Sequence, residues 1–206
     1  MIDLYTFSTP NGRKIPILLE ELGLPYQVHS INILKGDQHR PEYLKINPNG
    51  KIPAIIDHDT FDGKPLTIFE SGAILIYLAE KAGRFIGKNI RSRTEVLQWL
   101  MFQMSAIGPM FGQFNHFSHA APEKIPYAIE RYGKEVSRIM GVVESHLSDR
   151  DYFSEEYSIA DISSYAWIQG VVAKASHLLP SGASGIRGWL ERVGSRPAVQ
   201  KGMTVP

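Results

Sequence analysis

A predicted strand-to-helix junction at Phe69–Ile74 carries the residues best suited to bind a charged ligand. Glu70 and Ser71 bring a carboxylate and a hydroxyl to the start of a strongly apolar helix. The free N–H groups and the dipole of a helix N-terminus favour an anion. Serine is also a common N-cap at such a position, and the motif alone favours that structural role over ligand binding.

Cysteine is absent from all 206 residues of the chain. A disulfide framework, a thiolate metal site and a cysteine nucleophile are therefore excluded. If the protein carries out sulfur chemistry, the sulfur must belong to a bound small molecule.

Other candidate residues lie in loops beside predicted strands. The loop Ser8–Gly12 follows the first strand and, taken alone, indicates only a turn with a helix cap. Pro53 directly precedes an apolar strand, which indicates a strand edge, a bend or a cis bond because proline cannot donate to a ladder. His116 and His119 have no third ligand at regular spacing, so no metal site is predicted.

The elements that position these loops form an α/β segment over residues 1–83. Strand patterns alternate with helical patterns, and Asp62-Gly63 marks a hairpin between the last two strands. The resulting order, β-α-β-(α)-β-β-α, predicts a mixed sheet with a crossover helix. The first helix is expected to start near Asn11, so that Pro16 falls just past its first turn and introduces a local kink.

From residue 90 to residue 206 the periodicity is almost entirely helical. Val96, Leu97 and Leu100 fall at helical spacing, and Ser158–Asp161 has the form of a capping box before an apolar helix. The sequence therefore predicts two domains, residues 1–83 and 90–206, with the boundary between them.

Composition and charge narrow the classes of partner. Apolar residues make up 43% and charged residues 21% of the chain, which is an ordinary globular balance. The formal net charge of +1 favours neither a nucleic acid nor an anionic membrane as a partner. No apolar run approaches the ~20 residues that cross a bilayer, and no signal peptide pattern is present, so a cytoplasmic protein is expected.

Taken together, the motifs resemble those of the glutathione transferase superfamily. The resemblance is to its Nu class, the bacterial glutathione transferase-like disulfide-bond reductases, which are related to the yeast nitrogen-regulatory prion protein. It covers nearly the whole chain. The matching stretches are Thr9–Gly12, Lys35–Gln38, Asn49–Ile55, Phe69–Ile74, Gly108–Gln113, His116–Phe117, His119–Pro122, Ile125–Tyr132 and Tyr157–Asp161.

The resemblance implies a thioredoxin-like N-terminal domain of βαβαββα order followed by a helical glutathione transferase C-terminal domain. It implies a glutathione-dependent disulfide-bond reductase with glutathione as cosubstrate and a small disulfide or electrophile as the second substrate. Weak transferase or peroxidase activity and a homodimer are further implications. The alternative is a non-catalytic, glutathione-binding regulatory protein of the same fold.

The resemblance also assigns site residues. Thr9 and Asn11 would stabilise the glutathione sulfur and so are the catalytic candidates. The backbone of Ile52, before a cis Pro53, would pair with the cysteinyl part of glutathione. The remaining glutathione contacts are Glu70 and Ser71 at the γ-glutamyl end, Gln38 at the glycyl end, Lys51, and Arg131 from the helical domain.

Overall fold

The computed structural model describes residues 1–206, and the chain divides into two compact units. The first consists of Met1–Ile86 together with Gly194–Pro206, and the second is Gly87–Val193. No helix in the structure is long and apolar enough to span a bilayer.

A four-stranded mixed sheet forms the centre of the first unit. Its spatial order is β2-β1-β3-β4, with β1 and β2 parallel and the other two pairs antiparallel. This confirms the mixed sheet and the hairpin around Asp62-Gly63 predicted from the sequence. The strands are β1 (Ile2–Thr6), β2 (Tyr26–Ser30), β3 (Ala54–Asp57) and β4 (Leu66–Phe69).

Helices of the first unit bury their apolar faces around this sheet. Helix α1 packs against α3, as the apolar spacing of Ile15, Leu18 and Leu19 requires. A short 3₁₀ helix, Asp37–His39, precedes α2. The α-helices of this unit are α1 (Lys14–Leu22), α2 (Pro41–Leu44), α3 (Ser71–Ala82) and a terminal helix, Pro197–Gly202.

Helix α1 starts later than the sequence suggests. Its first residue is Lys14, not a residue near Asn11, so Pro16 lies in the first turn. N–H groups in that turn have no acceptor within the helix, and a proline there removes no helical hydrogen bond. The physical reason for expecting a kink in α1 at Pro16 is therefore removed.

The chain returns to the first unit at its C-terminus. The terminal helix packs against α1, and a Cβ on Gly202 would lie 2.6 Å from the backbone of Ile17. Arg196 makes two hydrogen bonds to the Glu21 carboxylate, at 2.6 and 2.9 Å. The two-domain division predicted from the sequence, 1–83 and 90–206, stays a prediction. It does not anticipate that the C-terminal residues contact the first unit.

The second unit is entirely helical. Helix α7 lies at its core and begins at a capping box in which Ser158 and Asp161 satisfy each other's backbone N–H groups, as predicted. Asp161 also accepts a hydrogen bond from the Trp189 indole at 2.8 Å. Its helices are α4 (Ile90–Phe102), α5 (Gly108–Asn115), α6 (Pro126–Leu147), α7 (Ile159–Lys174) and α8 (Ser184–Gly194). π-Helical segments at Gln103–Ile107 and His116–Ala120 flank α5. The terminal helix of the first unit, Pro197–Gly202, is α9.

Candidate functional site

The register of the sheet brings three candidate loops of the first unit to one end of its strands, which is called the loop edge of the sheet below. Because β1 and β3 are antiparallel, with Tyr5 opposite Ala54, the loop after β1 and the loop before β3 lie at the same end. The antiparallel pairing of Ala54 with Phe69 brings the end of β4 to that edge as well. Three loops that are distant in sequence therefore meet at one end of the sheet.

The first loop, which contains Thr9 and Asn11, is held by two crossing hydrogen bonds. The Thr6 hydroxyl donates to the Gly12 carbonyl at 3.0 Å, and the Gly12 N–H donates to the Thr9 hydroxyl at 3.0 Å. A Cβ on Gly12 would lie 2.0 Å from the Phe7 carbonyl oxygen, so this turn excludes any other residue there. The Thr9 oxygen serves as an acceptor, which leaves its proton to donate in another direction.

Helix α1 begins directly after this loop. The Lys14 N–H donates to the Asn11 carbonyl at 3.4 Å, and the Thr9 and Asn11 side chains are both partly exposed. Two polar side chains thus stand at the positive end of a helix dipole, an arrangement that favours an anionic ligand such as a thiolate.

The second loop leads into β3 and is fixed by its Lys51 carbonyl. That oxygen accepts hydrogen bonds from the buried Asn47 side chain at 2.7 Å and from the Tyr43 hydroxyl at 2.5 Å. The Ile52–Pro53 peptide bond is cis, as predicted. The Lys51 side chain is exposed.

The third loop is the junction of β4 and α3. Glu70 adopts a positive φ of 71° with ψ of 115°, a conformation that costs a non-glycine residue about 1–3 kcal/mol. Its carboxylate accepts a hydrogen bond from the Asn49 side chain at 3.3 Å. Ser71 is buried and is the first residue of α3, whereas the N-cap is Glu70. The capping role that the motif alone suggested for Ser71 is therefore wrong.

A buried lysine that sequence reasoning missed lies against this junction. Lys14 is only 1% exposed, and its ammonium donates to the Ser71 hydroxyl oxygen at 3.2 Å. Burial lowers the pKa of Lys14 to about 7, an effect that the nearby Glu70 carboxylate opposes. The available clue was its spacing, because Lys14 falls four residues before Leu18 on the apolar stripe of α1.

Comparison with known proteins identifies the family. Residues 9–81 match the family model described as glutathione S-transferase, N-terminal domain. The disulfide-bond oxidoreductase YfcG of Escherichia coli (strain K12) is 49% identical over 200 residues, which cover 96% of this chain and 92% of that protein. The chain belongs to the glutathione transferase superfamily. The disulfide-bond oxidoreductase YghU of the same organism is 39% identical over 216 residues, covering 99% of this chain and 74% of the relative.

The fold is that of solved glutathione transferases. A glutathione transferase from Pseudomonas putida superposes with a TM-score of 0.95 at 42% identity, covering 100% of this chain and 91% of the other. That crystal structure holds one glutathione disulfide per subunit. The thioredoxin-like first unit and the helical second unit are therefore the two parts of a glutathione transferase fold.

Gln38 of this transferase-family chain lies near the second loop. It sits in the 3₁₀ helix after β2, and a Cβ on Gly50 would lie 3.4 Å from the Gln38 carbonyl oxygen. Its side-chain oxygen is shielded from solvent without a hydrogen-bond partner, while its amide nitrogen lies 3.1 Å from the His39 ring. The side-chain oxygen of Gln38 can therefore still accept a hydrogen bond.

Arg131 belongs to the helical unit, on α6. It is exposed and borders a surface groove of about 590 Å³. Its cationic neighbours Lys134 and Arg138 are each paired with a glutamate on the same helix. The hydrogen bonds from Arg138 and, to a smaller extent, the charge of Arg131 hold the pKa of Glu135 below its ordinary value. The groove thus carries both cations and carboxylates, and Arg131 is an exposed cation among them.

Proposed function

We propose that this protein is a glutathione-dependent disulfide-bond reductase that exchanges sulfur through bound glutathione. The observation that carries the proposal is a cradle of polar donors at one sheet edge in a chain with no cysteine. A protein of this kind can position and activate a thiol but cannot form a disulfide with its own side chains. The name of the 49% identical relative, a disulfide-bond oxidoreductase, agrees with this chemistry.

The reaction balances with two molecules of glutathione. The thiolate of the first attacks one sulfur of the substrate disulfide; a mixed disulfide forms, and the other substrate sulfur leaves as a thiolate that takes up a proton. The thiolate of a second glutathione then attacks the glutathione sulfur of the mixed disulfide. Glutathione disulfide forms, and the remaining substrate thiol is released. The P. putida transferase holds a molecule of this product type.

Thr9 and Asn11 are proposed to stabilise the attacking sulfur. A free thiol with a pKa near 8.5 is only a few per cent ionised at pH 7, and lowering that pKa by about 2 units requires roughly 2.7 kcal/mol of preferential binding of the thiolate. Hydrogen bonds to charged groups are worth about 1.5–3 kcal/mol each. Two donors beside the start of α1 can therefore supply the preferential binding of the thiolate that this pKa shift requires. The same thiolate would attack small electrophiles or peroxides, giving weak transferase or peroxidase activity.

The rest of glutathione is proposed to lie along the same edge of the sheet. Its γ-glutamyl end would contact Glu70 and Ser71, and the cysteinyl backbone would pair with Ile52 beside Pro53. Gln38 and Lys51 would contact the glycyl end. In support, each of these residues belongs to a loop at this edge or packs beside one. Arg131 would supply a positive charge from the helical unit.

The decisive experiment follows turnover of 2-hydroxyethyl disulfide with glutathione, in which glutathione disulfide formation is coupled to NADPH oxidation by glutathione reductase. Steady turnover supports the enzyme. Thr204→Ala is a matched control for the loss of a threonine hydroxyl at Thr9, because this exposed threonine bonds only within the C-terminal turn. Glutathione binding by calorimetry without any disulfide turnover would refute the reductase and favour the non-catalytic regulatory protein.

A cytoplasmic homodimer is the proposed working form. Glutathione is abundant in reducing compartments, where a cysteine-free reductase depends on it. Apolar side chains are exposed in both units, including Phe69 on β4 and Ile90 at the start of α4, and a two-fold dimer would cover such surfaces. Sedimentation at micromolar protein should show twice the mass of one chain; a monomer alone would refute the dimer.

A further inference from the structure

The burial of Lys14 calls for a functional explanation. Lysine is almost never fully buried unless it is paired, because removing an ammonium from water is costly. Lys14 is 1% exposed and lies on the face of α1 that also buries Ile15 and Leu18. An apolar side chain would satisfy packing alone at this position, so the ammonium itself must be considered.

The hydrogen bond from Lys14 dictates the role of the Ser71 hydroxyl. In its charged form Lys14 only donates, so the Ser71 oxygen, 3.2 Å from the Lys14 nitrogen, then acts as the acceptor. The hydroxyl proton of Ser71 is then directed away from Lys14. Lys14 therefore helps to set the orientation of the Ser71 hydroxyl at the start of α3.

Charges of opposite sign are set side by side at this junction. Lys14 lies beneath Ser71 at the start of α3, where the helix dipole also favours an anion. Glu70, exposed and turned by its positive φ, supplies a carboxylate that stabilises the charged form of Lys14. The γ-glutamyl end of glutathione is a zwitterion, with an α-carboxylate and an α-ammonium on one carbon, and it complements this pair of charges.

We propose that Lys14 is a positioning residue for glutathione, which orients the Ser71 hydroxyl from beneath and supplies the positive charge that selects the α-carboxylate of the γ-glutamyl group. Lys14 acts through Ser71 and the electrostatic field at the start of α3. The inference rests on the proposed function, since it requires glutathione at this edge of the sheet.

The test compares two ligands in the full-length protein. One is glutathione, and the other is 4-aminobutyryl-cysteinylglycine, which lacks only the α-carboxylate. Lys14→Met removes the charge and the donors but keeps an unbranched chain of similar length. By calorimetry, Lys14→Met should weaken glutathione binding about tenfold or more and leave binding of the analogue nearly unchanged.

Kinetics and a control separate positioning from a general structural effect. With Lys14→Met, kcat at saturating glutathione should hold while kcat/KM for glutathione falls by about the same tenfold. Lys64→Met is the matched control: it removes one positive charge from an exposed turn of the same unit and should change neither ligand. In a double-mutant cycle, Lys14→Met and Ser71→Ala should be non-additive. Equal weakening of both ligands by Lys14→Met, or additive effects in the cycle, would overturn the inference.

A measurement on the wild-type protein keeps the inference testable if Lys14→Met does not fold. With ¹³C at the lysine ε-carbons, the resonance that Ser71→Ala shifts belongs to Lys14. Glutathione should move this resonance and the analogue should not; equal shifts with both ligands would overturn the inference. If wild-type protein binds no glutathione at all, the proposed function itself fails. If glutathione binds normally but does not move the Lys14 resonance, only the positioning role of Lys14 is rejected.

Discussion

Replacing Thr9 by valine tests the proposed sulfur site most directly. Valine has nearly the shape of threonine but no hydroxyl. In the structure the Thr9 oxygen already accepts from the Gly12 N–H at 3.0 Å, so its proton is the group offered to a bound sulfur. Thr9→Val removes that donor without opening a cavity.

The expected size of the effect follows from one lost hydrogen bond to a thiolate. Such a bond is worth about 1.5–3 kcal/mol, which raises the pKa of the bound glutathione thiol by roughly 1–2 units. Disulfide turnover at neutral pH should fall by about tenfold or more, while glutathione binding changes less. Thr9→Ser keeps the hydroxyl and should restore most of the activity.

The assay is a pH titration of the bound thiolate by its ultraviolet absorbance, run beside disulfide turnover at each pH. The Gly12 N–H also loses its acceptor in Thr9→Val, so thermal melting must confirm that the variant is folded. Asn11→Ala should depress turnover by a similar factor, about tenfold. If both variants leave the thiol pKa and the turnover unchanged, the sulfur does not sit at this loop, and Tyr5 or Ser8 becomes the next residue to test.

Three further outcomes are expected. Ser71→Ala should weaken glutathione binding by about 1–3 kcal/mol by calorimetry, with Ser148→Ala, in an exposed turn, as the control; an unchanged Kd would contradict the γ-glutamyl placement. Asp161→Ala should lower the free energy of unfolding in urea by about 3 kcal/mol or more, since it strands the buried N–H groups of Phe153, Ser158 and Trp189. Burial raises the pKa of Asp161 from 3.8 to about 6, so its contribution to stability is greatest below pH 3.8 and is lost as pH rises through about 6; the variant should lack this dependence. Mass spectrometry during turnover should detect no covalent adduct between protein and glutathione, and finding one would exclude the two-glutathione scheme.

The sequence predicted the sheet and its helices because local periodicity carried the information. The hairpin at Asp62-Gly63, the capping box before α7 and the start of α3 at Ser71 each follow from a few adjacent residues. The clustering of candidate loops needed more than these patterns, since only the strand register shows that β1, β3 and β4 present them at one edge.

Other features depend on contacts between distant residues and escaped sequence reasoning. Lys14 was missed because a lysine near a helix start is ordinarily solvated, and only the tertiary fold buries it against Ser71. Docking of the last helix on α1 was missed because helical periodicity identifies an apolar face without its partner. The π-helical segments around α5 were missed because one extra residue in a turn barely alters a pattern of period 3.6.

The return of the chain to its first unit sets the order in which the molecule can be completed during synthesis. Residues 194–206 follow the helical unit in the chain, yet they cover α1 beside Ile17 and pair Arg196 with Glu21. The helical unit, Gly87–Val193, is continuous in sequence and can acquire all its own contacts earlier. The first unit therefore reaches its final packing only after the whole helical unit has been synthesised, and no single proteolytic cut can release it whole.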